Sequence, residues 1–186
     1  MTLHIRAAEL TSGADRTVPD ALLHTLDELA HAALDDMRAL IFELHPTPLD
    51  THGLVCAVRE QGAWVTRRGG PAVTVDGPDA RLDIAPDAEL DAYRLTQEAL
   101  HNCVKHARAT HVRVRIGPAD DNPRTLLVEV TDDGVGFDPV AGGPGLGLVS
   151  MRERAERLGG QLIVASRGGA GTVVRLVAPR VLGSAG

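Results

Sequence analysis

Thr125-Leu126-Leu127-Val128-Glu129-Val130-Thr131-Asp132-Asp133-Gly134-Val135-Gly136-Phe137 passes from alternating apolar and polar residues into an acidic pair and then into spaced glycines. Alternation with a period of two marks a strand with one buried face. Asp132 and Asp133 end that strand, and Gly134 and Gly136 let the backbone beyond it pass close to a ligand. Upstream stands Glu98-Ala99-Leu100-His101-Asn102-Cys103-Val104-Lys105-His106, and downstream Gly143-Pro144-Gly145-Leu146-Gly147-Leu148. Each motif alone is weak, because spaced glycines also serve ordinary turns. The three in this order are strong.

Working outward, His111 to Ile116 alternates in the same way, and Gly117 to Pro123 separates it from Thr125 to Thr131, which predicts a hairpin. Pro86 opens a helix running to about Ala107, with Asp87 and Glu89 favourable to its amino-terminal dipole. A further helix is expected over Leu148 to Leu158, closed by Gly159-Gly160, and strands over Gln161 to Ser166 and Thr172 to Ala178. Gly53 to Arg68 reads as a helix, Ala72 to Val75 as a short strand and Arg81 to Ile84 as an extended segment. From Pro19 to Leu44, Leu22, Leu26, Leu29, Ala33, Met37, Leu40 and Leu44 recur at helical spacing, ahead of Pro46 and Pro48, which stop that helix. Met1 to Leu10 adds a short helical arm, so the first 50 residues read as a partial helical hairpin. The expected division is 1–50 hairpin, 51–180 catalytic domain and 181–186 flexible tail. The fold class is α+β: a two-layer sandwich of a mixed, mainly antiparallel sheet with helices on one face.

The chain has 186 residues, 44% of them hydrophobic and 24% charged, which suits a folded protein of one or two domains. A net charge of -6 argues against a nucleic-acid partner held by phosphate neutralisation. Two cysteines, Cys56 and Cys103, suggest neither a disulfide framework nor a zinc site and fit a reducing cytoplasm. No window is long and apolar enough for a membrane span.

Glu98, Asn102 and Lys105 share one stripe of their helix by four- and three-residue steps, while Tyr93, Leu100 and Val104 can face a core. That stripe could be a solvated face with a spaced Glu–Lys pair, or the polar wall of a site. A carboxylate at a strand end can accept a hydrogen bond from the exocyclic amine of adenine, a role suited to Asp132. Gly143, Gly145 and Gly147 could carry a segment over phosphates and present backbone donors at the next helix start. One amide oxygen, from Asn102, would be an adequate protein ligand for a phosphate-bridging divalent metal.

Glu98 to Ala107, Asp132 to Gly136, Gly143 to Gly147 and Gly169-Ala170-Gly171-Thr172 resemble, in order, the boxes of the ATPase superfamily of histidine kinases, DNA gyrase, heat-shock chaperones and mismatch-repair proteins. The segments Met37 to Pro46, Lys105-His106-Ala107 and Met151-Arg152-Glu153-Arg154 are similar to sensor histidine kinases paired with NarL/LuxR-type response regulators. The resemblance implies a Bergerat-type ATP-binding fold that takes ATP or ADP with Mg2+. It implies Asn102 as the magnesium ligand, Lys105 as a catalytic phosphate contact, Asp132 as the adenine anchor and Thr172 beside the adenine amine. Gly134, Gly136, Gly143, Gly145, Leu146, Gly147 and Leu148 would shape the nucleotide loops, and Glu98 and His106 would line the same pocket, Glu98 as a candidate catalytic group.

In that family the accepting histidine lies on the first hairpin helix, ahead of a segment similar to Met1 to Leu10. The expectation is therefore that the acceptor is absent here. The chain would transfer phosphate to an acceptor hairpin in cis in a longer parent or in trans, and would be a weak homodimer or a monomer. The full-length parent could be membrane-anchored. Two other readings stay open: a nucleotide-binding regulatory module without kinase activity, and an anti-sigma-factor-type serine kinase.

Overall fold

The computed structural model describes residues 47–119, 122–138 and 145–180. Residues 1–46 of the expected helical hairpin, Gly143 and the carboxyl-terminal tail lie outside the described residues. Helix α1 spans Thr47–His52, α2 Leu54–Arg67, α3 Pro86–Asn102 and α4 Leu146–Arg157. A π turn over Cys103–Ala107 continues α3. The strands are β1 Ala72–Asp76, β2 His111–Ala119, β3 Asn122–Asp132, β4 Gln161–Ser166 and β5 Thr172–Pro179.

The strands form one sheet in the order β1-β2-β3-β5-β4. Only β1–β2 is parallel; β2–β3, β3–β5 and β4–β5 are antiparallel, so the sheet is mixed and mainly antiparallel. Val112, Val114 and Ile116 of β2 pair with Asp132, Val130 and Val128 of β3, and the alternation puts all of them on the helix face. These valines, with Leu176 and Ala178 of β5, join Tyr93, Leu95 and Leu100 of α3 and Met151 and Ala155 of α4 in one core. His111, Arg113 and Arg115 point to the opposite, exposed face. The expected α+β architecture with helices on one face is what the structure has.

Pro48 sits in the first turn of the short helix α1, where its missing N–H breaks no helical bond; the helix that Pro46 and Pro48 are expected to stop lies outside the described residues. Two local readings change. The β2–β3 hairpin extends beyond Ile116 and Thr125: β2 reaches Ala119 and β3 begins at Asn122, with a register shift between Pro118 and Ala119. An irregularity of this kind accommodates Pro123, which cannot donate to a regular ladder. Arg81 to Ile84 has no regular secondary structure, yet Leu82 and Ile84 are buried.

Polar ties lock the helical layer. Glu89, only 2% exposed, accepts the Leu54 N–H at 2.9 Å, which satisfies a free donor at the start of α2. Its other oxygen meets Arg81 at 2.7 Å, and Arg81 also donates to the Asp50 carbonyl at 3.0 Å. One carboxylate thus joins α1, α2 and α3. Across the layer, Asp91 of α3 receives Arg154 at 3.1 Å and Arg157 at 2.7 Å from α4. Among the described residues no helix is long and apolar enough to cross a membrane.

Arg81→Ala leaves the buried Glu89 carboxylate without its cation and is expected to cost about 2 kcal/mol, reduced from a fully buried pair because Arg81 is half-exposed. A urea midpoint equal to that of wild type would contradict this. Burial alone would raise the Asp91 pKa, but the hydrogen bonds and charges of Arg157 and Arg154 outweigh it and hold the carboxyl below its ordinary range. A carboxylate depressed by folding adds stability above its unfolded pKa and loses it as pH falls through the folded value. Asp91→Asn should therefore be less stable than wild type at neutral pH, and the gap should close in acid. Urea titrations across that range read the gap directly, and one that persists in acid counts against the linkage.

Candidate functional site

The end of α3 decides the first wall. Leu95, Thr96, Ala99 and Leu100 are buried and hold the helix to the core, which leaves Glu98 and Asn102 half-buried on the adjoining stripe. Over Cys103–Ala107 the helix widens into a π turn, a form common at functional sites. Cys103 and Ala107 are buried, whereas Val104, expected to face the core, is 49% exposed. The widened turn shifts the helical phase, so Val104 leaves the line set by Tyr93 and Leu100. Arg108 ends the turn with φ of 51°, in the left-handed region.

The sheet supplies the floor. Asp132 and Asp133 are neighbours on β3, and the pleat sends them to opposite sides. Asp132 is 7% exposed and lies on the helix face, in register with Thr172 of β5. Its Oδ1 accepts the Gly134 N–H at 2.8 Å, and its Oδ2 accepts the Cys103 thiol at 3.6 Å. Burial, reinforced by the charge and hydrogen bond of Asp132, pushes the Cys103 thiol up to about 12, so it stays protonated as a donor. Asp133 works on the outside. It accepts the backbone N–H groups of His111 at 2.9 Å and Thr110 at 2.8 Å and the Thr110 hydroxyl at 2.7 Å. The His111 backbone bond, with the Thr110 hydroxyl next, holds its carboxyl well below the usual carboxylate range.

The glycine loop after β3 is fastened on both flanks. The Val135 N–H donates to the Ala107 carbonyl at 2.8 Å, and the Val135 carbonyl accepts Gly169 N–H at 2.7 Å. Phe137 N–H donates to Ser166 Oγ at 2.9 Å, and Ser166 lies 3.0 Å from the Thr172 hydroxyl. Gly136 has φ of 60°, and a Cβ there would run into the Arg167 carbonyl. The π turn, the loop and the β4–β5 turn therefore form one connected surface.

These elements enclose a cleft of about 480 Å³. Of the residues singled out in the sequence, Glu98, Asn102, Lys105, His106, Asp132, Gly136, Gly145, Leu146, Gly147, Leu148 and Thr172 line it. Gly134 lies behind it, against the Ala107 carbonyl, and Gly143 is outside the described residues. Cys103, Met151 and Val174 also line the cleft, though none was singled out as a site residue. Cys103 lies in the Glu98–His106 run and Met151 in the Met151–Arg154 run, so motif position could have found both; Val174 follows only from packing.

The first turn of α4 forms the far wall. Gly147 comes so close to α3 that a Cβ would run into the Glu98 carboxylate, with the Asn102 amide beside it. Gly145 is the amino-terminal cap of α4, with no side-chain hydrogen bond, so the first backbone donors of this helix are open to an anion. Lys105 and His106 are exposed at the mouth. The cleft thus has a buried acceptor at its floor, an apolar side from Met151 and Val174, and Lys105 with the open backbone donors of α4 at its opening. Among the described residues no cluster of three or more His, Cys, Asp or Glu could hold a metal by itself. The hard oxygen donors of Asn102 and Glu98 fit a divalent cation that takes most of its ligands from phosphate and water.

Residues 87–182 match the family model of histidine kinase-, DNA gyrase B-, and HSP90-like ATPases. The chain is 36% identical over 150 residues to the oxygen sensor histidine kinase NreB of Staphylococcus carnosus, covering 78% of this chain and 42% of that protein. It is 30% identical over 168 residues to the signal transduction histidine-protein kinase/phosphatase DegS of Brevibacillus brevis, covering 89% and 43%. The chain therefore spans less than half the length of either relative. Among solved structures, the histidine kinase domain of the Erythrobacter litoralis EL346 blue-light activated histidine kinase superposes with a TM-score of 0.52 at 26% identity, over 64% of this chain and 60% of that one.

Gly136→Ala is expected to destabilise the protein by about 2 kcal/mol, because a left-handed non-glycine residue is strained and the added methyl meets a backbone carbonyl. Chemical denaturation checks this, and a loss below about 0.5 kcal/mol, the level of an ordinary surface substitution, would mean the loop is free to move.

Proposed function

The chain belongs to the histidine kinase-, DNA gyrase B-, and HSP90-like ATPase family, and from that we propose that it is the ATP-binding catalytic part of a two-component sensor histidine kinase. It moves the γ-phosphoryl group of magnesium-bound ATP to a histidine on a dimerisation hairpin, supplied in cis or in trans. The phosphoryl group then passes to a response regulator of the NarL/LuxR type, in the cytoplasm. The observation that carries this reading is the buried Asp132 carboxylate at the cleft floor, opposite Thr172 and bonded to no cationic side chain among the described residues.

Adenine enters with its exocyclic amine toward Asp132, and Thr172 stands beside that contact. A carboxylate that can only accept rejects a base presenting an acceptor at the same place. The triphosphate then runs toward the first turn of α4, where backbone N–H groups receive it, and Lys105 adds positive charge. Asn102 would hold magnesium, with Glu98 alongside; when bound, the ion supplies neutralisation of the phosphate charge. His106 and the backbone at Gly145, Leu146, Gly147 and Leu148 complete the phosphate end. In-line phosphoryl transfer asks the protein mainly for position and charge, and this cleft offers both.

Asp132→Asn is expected to weaken magnesium-ATP binding by about 1 to 3 kcal/mol, since the amide presents a donor to the adenine amine. Isothermal titration of both proteins measures it, and equal affinities would remove Asp132 from the adenine site. With a separately supplied acceptor hairpin and radiolabelled ATP, label should appear on the histidine of the hairpin. Wild-type protein that binds ATP yet never labels an acceptor would favour a purely regulatory module.

A further inference from the structure

The Asp132 carboxylate is held by donors from two different elements. Oδ1 takes the Gly134 N–H at 2.8 Å from its own loop, and Oδ2 takes the Cys103 thiol at 3.6 Å from the π turn. No cation is bonded to it among the described residues, although it is 7% exposed. A buried carboxylate in that position can rotate about its Cα–Cβ and Cβ–Cγ bonds unless both oxygens are occupied. The loop bond alone fixes one oxygen and leaves the plane of the group free to tilt. Cys103 lies on the cleft wall beside Asp132, so its S–H fixes the second oxygen from the helix side.

We propose that Cys103 is a positioning residue for base recognition: its thiol donates to Asp132 Oδ2 and sets the carboxylate plane so that the remaining lone pair faces the exocyclic amine of a purine. This rests on the reading of Asp132 as the adenine acceptor. The thiol is a weak donor, which suits the role. It orients Oδ2 without saturating it, whereas an ammonium or guanidinium there would claim the carboxylate for itself. Helix α3 sets this place for Sγ: Cys103 keeps αR geometry with its N–H on the Ala99 carbonyl, one turn beyond the buried Ala99 and Leu100, and the π turn begins from it.

The test compares ADP with purine riboside 5′-diphosphate, the same nucleotide with hydrogen in place of the amine, by calorimetry on wild type, Cys103→Ala and Cys103→Ser. Cys103→Ala should weaken ADP about three- to tenfold, the span of one modest hydrogen bond, and should barely change the amine-free analogue. Cys103→Ser keeps a donor and should restore most of the preference for ADP. Cys103→Val fills the thiol's space without a donor and carries the same comparison if the alanine variant does not fold. Equal weakening of both nucleotides, or a serine variant that behaves like alanine, overturns the proposal in favour of simple packing. A wild-type preference for ADP that Cys103→Ala leaves whole overturns the role of Cys103 alone. Wild type with no preference overturns the adenine role of Asp132 and this proposal together.

Discussion

The pleat of β3 separates two neighbouring carboxylates, and the site depends on that separation. With Val128 and Val130 committed to the core, Asp132 must face the helices and Asp133 must face away. Each then has one task. Asp133 collects donors from Thr110 and His111, pinning the start of β2 to the end of β3, while Asp132 stays in the cleft with one donor on each oxygen and lone pairs to spare. A slip of one residue would exchange them, placing Asp133 in the cleft and Asp132 in solvent.

Around this floor the walls differ in character. The glycine loop and the β4–β5 turn are cross-bonded through Val135, Gly169, Phe137 and Ser166, and the loop is tied back to the π turn at Ala107. The opposite wall rests on the contact of α4 with α3, through Gly147 at Glu98 and the Asp91 pair with Arg154 and Arg157. Leu146, at the first turn of α4, is 90% exposed, an unusual setting for a large apolar side chain at the edge of a cleft. The Asp132 end of the cleft is thus built into the sheet, and the Gly147 end is carried by a helix held by Met151 and Ala155 in the core and by polar contacts to α3.

Much of this was legible in the residues. Alternation in His111 to Ile116 and Thr125 to Thr131, and the glycine pairs after α2 and α4, read correctly because strand pleat and helix termination are local properties. The clustering of Glu98, Asn102, Lys105, Asp132, Gly147 and Thr172 around one cleft followed from motif order. The π turn did not, since Cys103 to Ala107 has no residue that forces an extra backbone atom set into the helix, and the outward turn of Val104 was lost with it. Nor did the bond between Cys103 and Asp132, because it joins a helix end to a strand end, and only tertiary packing sets their distance.

The register of β3 with β5 has a consequence for folding. The β2–β3 and β4–β5 pairings are hairpins between consecutive strands, but Asp132 meets Thr172 across an intervening helix and strand. Pairings of that separation cost more chain entropy to close and tend to form late. A molecule gripping both residues would act as a cross-strand staple, stabilising one of the long-range contacts that the chain closes with difficulty. Occupancy of the cleft and completion of the sheet are then parts of one equilibrium, and the bound protein should resist opening along that seam first.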